Sequence, residues 1–425
     1  MVRNPTGAVV LDPLGRDLHG EAARLRRLGG VVRVVLPGGV PAWSVNRIGL
    51  IRQVMADARV SKDAYRHWPA WISGEVDEGW PLAMWVSVRS MLTAYGPEHR
   101  RLRRLVAGAF TARRVADLAP RIRAVTGELL EGLARWPAGR PVDLRAQFAA
   151  ELPLRVMSQM LGLDGAQARD LHRVTDVLFT TSTSSRAARA NQVELYGLMD
   201  ALVAGKRAAP GADLTSALIA ERDGRGRGLS EKELVDTLLL IIGAGHETTV
   251  NLLDHAIHAL LAHPGQLRLV REGAITWEAV VDETLRREAP VANIPLRFAV
   301  EDIEVGGTTI RAGEAILLSL VAAGRDEAVH GPTADAFDAT RPTRREHGAF
   351  GHGVHHCLGR ALAMSEATIA LPALFGRFPQ LAPAAQAGEP ALFESFISSG
   401  HTKLWALLNP PPGPAARPPL PEPAA

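Results

Sequence analysis

The chain is short of several things. It has one cysteine, Cys357, in 425 residues. A single thiol forms no intramolecular disulfide, so nothing points to an oxidising compartment. Lysine is scarce: Lys62, Lys206, Lys232 and Lys403 are the only four, and arginine supplies the rest of the 48 basic residues. Against 45 acidic residues this leaves a net charge of +3, which gives no overall footprint for nucleic acid. Long apolar runs are missing too. The start, MVRNPTGAVVLDP, has no stretch of signal-peptide length. The greasiest segment, LVDTLLLIIGAG, is too short for a membrane span and is broken by Asp236. No internal repeat is visible. The expectation is a soluble, cytoplasmic protein that partners neither nucleic acid nor membrane.

What is present is a core-forming composition, 47% apolar, with uneven periodicity along the chain. Residues 1–60 read as β-rich, with VVRVVL and VPAWSVN flanking a Pro-Gly-Gly turn as a hairpin. From about 97 to 290 the spacing is helical. Ser230 and Glu233 form a capping-box pattern, and a helix of some 30 residues should follow to His263-Pro264 and cross the core. A second helix should run from about Thr276 to Glu288, then short strands to 320, then an irregular segment over 322–349 and a helix over 361–377. The chain to residue 408 reads as one domain. The tail from Asn409, NPPPGPAARPPLPEPAA, reads as disordered.

The lone cysteine sits in FGHGVHHCLG, Phe350 to Gly359. As a thiolate it could be a nucleophile, a redox group or a metal ligand, and a buried inert thiol is the plain alternative. His352, His355, His356 and Cys357 are too crowded to surround one tetrahedral ion. Gly351, Gly353 and Gly359 allow positive φ and close approach to something bulky and flat. Amides in such a turn, with the start of the next helix, would stabilise a thiolate. That combination suits an iron ligand with a large cofactor.

The pattern F-G-x-G-x-H-x-C-x-G, matched at every fixed position, resembles the haem-binding loop of the cytochrome P-450 family. The resemblance spans about residues 10–408. It implies a mainly α fold with smaller β regions, a long central helix over the haem and the cysteine loop beneath it. It implies haem b, iron protoporphyrin IX, with Cys357 as the axial metal ligand and with Phe350, Gly351 and Gly359 around the cofactor. It further implies an oxygen-activating monooxygenase, served by a separate ferredoxin and ferredoxin reductase that draw on NAD(P)H. Oxidative coupling or a peroxide-driven reaction on the same haem is the alternative outcome, and a non-catalytic haem sensor is a third.

Three more motifs stand in the family's order. Glu283 and Arg286 form E-x-x-R on one helix face, and FDATR supplies Arg341 as the third member of a structural triad that would pin the cysteine loop. AGHETT, Ala244 to Thr249, is poor helix material in a core. A threonine hydroxyl bonding back one turn is the local account. The resemblance implies instead that the helix opens there beside the haem, with Glu247 and Thr248 catalytic in proton delivery. His99 and Arg103, four apart in EHRRLRR, match propionate-binding positions, as do Arg297 and His355. Arg100, Arg101 and Arg104 would then form a basic patch, and the resemblance implies that this face docks an acidic ferredoxin or flavodoxin domain.

The substrate side is read more coarsely. Trp68, Trp71, Trp80 and Trp85 crowd into one loop, and Trp85, nearest the His99 helix, is the pocket candidate. Ala244 and Leu240 lie one and two turns before Thr248 on the same face. VANIPL offers Asn293 as a polar anchor with Ile294 beside it, and Ile397 is expected on a last pocket-lining strand. That region departs from the family pattern, with Ser399 and Trp405 where many relatives have Arg and Pro. TTSTSS, residues 180–185, reads as a lid hinge. One polar anchor in an apolar wall suits a macrolide, steroid or similar natural product.

Overall fold

A computed structural model describes residues 7–178, 185–384 and 388–410. The hinge expected at 180–185 lies, but for Ser185, outside the described residues, as does the tail beyond residue 410. Helix predominates, with a six-stranded sheet at one side.

That sheet is built from β1 (Val9–Val10), β2 (Val31–Val35), β3 (Pro41–Val45), β4 (Val60–Ser61), β5 (Asn293–Ala299) and β6 (Ala315–Ser319), in the order β1-β2-β3-β6-β5-β4. The expected hairpin is β2–β3, antiparallel with Val34 opposite Ala42. β3 then runs parallel to β6, so the amino-terminal hairpin is welded to a segment some 270 residues away. The first 60 residues nonetheless hold more helix than strand. Leu18, Ala22 and Leu25 form the buried stripe of α1 (Leu18–Leu28), and Ile48, Ile51 and Met55 that of α2 (Ile48–Ala56). Those spacings of three and four are helical, and a β-rich reading of this region overlooked them.

The long helix, α3 (Glu231–Ala262), spans 32 residues, about 48 Å at ~1.5 Å per residue. Ser230 Oγ accepts from the Glu233 amide while Glu233 Oε2 accepts from the Ser230 amide, the reciprocal cap the sequence promised. Its carboxy-terminal half is buried on nearly every face among Val125, Leu133, Leu371 and Phe375.

The helix α4 (Trp277–Arg287) carries the E-x-x-R pair. Glu283 and Arg286 are fully buried and meet through two parallel bonds of 2.7 Å. Arg286 also donates to the carbonyls of Gly324, Ala334 and Ala336, and Arg341 reaches Glu283 at 3.4 Å while holding His330 and Thr333 carbonyls. The triad therefore ties α4 to 324–341, the run that leads into the cysteine loop, rather than gripping that loop itself. Arg345 and Asp282 continue the seam at 2.9 Å. Unpairing such a buried charge costs on the order of 3–5 kcal/mol, which explains why a run with so little regular structure is held in place.

Candidate active site

A cavity of about 1460 Å³, counting its open mouth, lies against the middle of α3. Cys357 opens into it as a free thiol. The loop below is shaped by Gly351 at φ +71° and Gly353 at φ +67°; a Cβ on Gly353 would sit 2.7 Å from the Met55 carbonyl oxygen of α2. Gly359 differs from expectation. Its φ is −77°, so it needs no left-handed freedom. It caps α5 (Arg360–Arg377), and the amides of Gly359 and Arg360 point at the sulfur. Burial pushes the Cys357 thiol up, against the pull of those two amides and of the Arg103 and Arg360 charges. Two amides and two guanidinium charges thus favour a thiolate against the effect of burial.

The rim of the cavity is a cluster of basic side chains. His99 and His355 stack with centroids 4.2 Å apart, and Arg103 and Arg297 line the wall beside them. Lys62, which the sequence reading missed, is buried next to Arg297 and reaches only the Pro295 carbonyl at 3.4 Å. Burial holds His99 down to about 4, helped by Arg103 and Arg100, and holds Arg297 down to about 10. Burial, then Lys62 and Arg297, drive His355 far down as well. No carboxylate among the described residues offsets this positive charge, and His99 Nε2 and Arg297 Nη1 have no partner there. A cavity with a sulfur ligand in its floor and unpaired cations at its rim fits a flat dianion that binds iron, which describes haem b with its two propionates. The signal for Lys62 was its rarity, one lysine of four.

The long helix supplies the other wall through Leu240, Ala244 and Thr248. It does not open at AGHETT; α3 is continuous from Glu231 to Ala262. Thr248 Oγ1 donates to the Ala244 carbonyl at 2.5 Å and Thr249 Oγ1 to that of Gly245 at 3.0 Å. These back-bonds absorb the polar groups within an intact helix. Gly245 is there for contact, since a Cβ would stand 2.7 Å from Met157 Cε. Glu247, one residue from Thr248, points elsewhere. It is buried behind the cavity wall, 3.0 Å from Arg145.

Of the substrate residues, Leu240, Ala244 and Ile294 line the cavity. Trp85 lines an adjoining apolar chamber of about 730 Å³, counting its open side, which shares Leu92, Leu240 and Ala244 with the cavity and is lined also by Gln192 and Tyr196. Asn293 and Ile397 do not line it. Asn293 is buried, its amide spent on the Phe396 carbonyl at 2.9 Å. Successive residues on a strand face opposite ways, so with Ile294 inward Asn293 turns out. A bulge between Ile294 and Arg297 then brings both to the cavity although they are three apart. Ile397 is fully buried under the sheet with Leu296 and Phe298. Trp68 stacks on Phe298 and packs on Trp80, filling core rather than pocket. Phe350 and Gly351 line the floor.

The basic patch is smaller than the sequence suggested. Arg101 is held at 2.6 Å by Glu98 and also by Glu233, which cross-links its helix to α3. Arg100 and Arg104 remain exposed beside Arg225 and Arg227.

The comparisons agree with this geometry. The Cytochrome P450 family model matches residues 276–401. The chain is 45% identical over 399 residues to the 2-hydroxy-5-methyl-1-naphthoate 7-hydroxylase of Streptomyces carzinostaticus, covering 94% of this chain and 97% of that one. It is 37% identical to the vitamin D(3) 25-hydroxylase of Pseudonocardia autotrophica, over 92% of this chain and 94% of that one. The solved structure of CYP154A1 from Streptomyces coelicolor A3(2) superposes with a TM-score of 0.90 at 51% identity, covering 95% of this chain and all of that one. No helix among the described residues is long and apolar enough to cross a membrane. With the cysteine floor, the cationic rim and these relatives on one chain, the protein belongs to the cytochrome P450 family of monooxygenases.

Proposed function

We propose that the enzyme hydroxylates a large, mostly apolar natural product, such as a macrolide, a steroid or a similar fused-ring molecule, held in the Trp85 chamber. The supporting observation is the continuity of that apolar chamber with the Cys357 cavity through Leu92, Leu240 and Ala244. The small side chain of Ala244 leaves room between them. The relatives named above, which act on a naphthoate and on vitamin D(3), support the same size and polarity.

Bound haem supplies activation of dioxygen at iron. The rest is the work of side chains. The Gly359 and Arg360 amides, working against burial, would donate to the Cys357 sulfur as the thiolate ligand of the iron. Arg103 and Arg297, with Lys62, would offset the charge of the propionates, and His99 and His355, held neutral by burial, would donate hydrogen bonds to them. Thr248 donates its proton to the Ala244 carbonyl, so its oxygen lone pairs stay free to accept from a water in the cavity. Glu247, turning from Arg145, passes protons to that water. Leu240, Ala244 and Ile294 keep bulk solvent out.

Sterols, macrolactones, fused-ring aromatic acids and cyclic dipeptides, titrated against the holoenzyme, separate the substrate classes. A shift of the haem absorption band is expected with one of the first three, and a hydroxylated product with it. A shift confined to cyclic dipeptides would overturn the proposal.

Electrons are proposed to come from a ferredoxin and its NAD(P)H-fed reductase, docking at Arg100 and Arg104. Replacing both arginines by alanine should slow reduction by ferredoxin by about tenfold at low salt and far less at high salt, where screening already weakens the attraction. Arg101→Ala should instead lower stability through loss of Glu98 and Glu233. Equal reduction rates for wild type and the double variant at every salt concentration would exclude this surface.

A further inference from the structure

Arg145 opens a turn of π-helix, Arg145–Ala149, and lies between two carboxylates of α3. Nη2 is 3.0 Å from Glu247 Oε1; Nη1 is 2.9 Å from Asn251 Oδ1 and 3.3 Å from Asp254 Oδ2. Glu247, Asn251 and Asp254 are spaced four and three apart and share one stripe of the helix. The guanidinium thus faces a ladder of acceptors running away from the cavity.

Asp254 is fully buried and occupied on one oxygen only. Its Oδ2 accepts from the His401 amide at 2.8 Å and faces His401 Nδ1 at 2.9 Å. Its Oδ1 has no partner among the described residues. Burial pulls the carboxyl up, but the His401 hydrogen bond and the charges of His401 and Arg145 outweigh it, and the pKa lies below the ordinary carboxylate value. His255, next to Asp254, is committed to the Ser399 carbonyl at 3.0 Å, so it does not compete for Oδ1. An anionic carboxylate with one unfilled acceptor therefore stands within reach of a guanidinium that already touches its other oxygen.

Glu247 can deliver protons to the Thr248 side only by leaving Arg145. Alone, that would leave Nη2 of a little-exposed guanidinium unpaired, with only the Nη1 contacts to Asn251 and Asp254 to offset its charge, which is unfavourable. We propose that Asp254 is the second seat of Arg145. When Glu247 turns toward the cavity, the guanidinium slides from its bridge between the two acids to a two-point hold on Asp254, filling Oδ1. Asp254 and, through it, His401 are positioning residues that lower the cost of freeing the acid. The inference rests on the reading of Glu247 as the proton-delivering group.

The structure of the Glu247→Gln holoenzyme tests the seat without recourse to activity. Removing the charge at 247 should send Arg145 to both oxygens of Asp254. A guanidinium still bridging, with Oδ1 unfilled, would overturn the proposal. Kinetics test the consequence. Asp254→Asn should slow product formation by about tenfold, less than the ~10²–10⁴-fold of a general acid–base group itself because Asp254 acts only through Glu247, and raise its solvent deuterium isotope effect without weakening substrate binding. Arg145→Lys, whose point charge cannot span both acids, should do the same and stands in if Asp254→Asn fails to fold. The double variant Glu247→Gln/Asp254→Asn should be no slower than Glu247→Gln alone, since Asp254 acts through Glu247. Additive losses would place Asp254 in some other role and overturn the inference. Wild-type turnover in Glu247→Gln would instead sink the reading of Glu247, while the position of Arg145 in that variant would still decide where its second seat lies.

Discussion

Cys357→His should abolish turnover while leaving a folded, haem-loaded protein. The reduced carbon monoxide complex of the wild type should absorb at the thiolate-ligated position, and that of the variant at the imidazole position. The argument is local. The sulfur stands at the start of α5, where the Gly359 and Arg360 amides and two arginine charges favour its anion. A neutral imidazole in the same place can bind iron but gains nothing from those donors. It also withholds the electron density that favours cleavage of the oxygen–oxygen bond. The rim of cations is untouched by the change, so haem should still be retained through Arg103, Arg297 and Lys62. A wild-type spectrum of imidazole type in intact protein would refute thiolate ligation. Loss of haem in the variant would show instead that the sulfur, not the rim, holds the ring.

The parts of this site that the sequence made legible are those written in one short stretch. The cysteine loop carries its own glycines, and the structure needs two of them at positive φ. The Ser230 cap announces the long helix, and Glu283 with Arg286 announces a buried pair. What was not legible depends on direction or on distant partners. Glu247 and Thr248 are adjacent in sequence, yet about 100° apart around a helix with 3.6 residues per turn, so one faces the cavity and the other Arg145. Asn293 turns out because of strand alternation, and only a bulge lets Arg297 rejoin Ile294. Nothing in the neighbourhood of Arg145 or Lys62 marks either residue, because their partners lie more than 100 and 230 positions away. Arg101 was assigned to docking by the charge of its neighbours. The deciding fact, Glu233 from another helix, is tertiary.

Thr248→Ala should still bind substrate and consume reduced cofactor, but release hydrogen peroxide in place of most of the product. The two electrons and two protons then leave with both atoms of dioxygen instead of splitting them. Product per cofactor consumed is expected to fall about tenfold, less than the ~10²–10⁴-fold rate contribution of placed proton-transfer groups because the ratio reads how the cofactor divides between product and peroxide. Helix packing predicts otherwise. The Thr248 hydroxyl spends its proton on the Ala244 carbonyl, a bond that an intact helix does not need, so a purely structural threonine could be lost with coupling unchanged. Thr248→Val keeps the shape and removes the oxygen, and should uncouple as Thr248→Ala does. Thr248→Ser keeps the oxygen and should stay coupled. Glu247→Gln should separate from all three, slowing turnover without redirecting it, because the supply of protons fails before their placement does. The measurement is product formed and peroxide released per cofactor oxidised, with a substrate that has no hydroxyl near the reacting carbon, since such a group could stand in for the missing one. Full coupling in Thr248→Ala with that substrate would leave the hydroxyl a helix bond and nothing more.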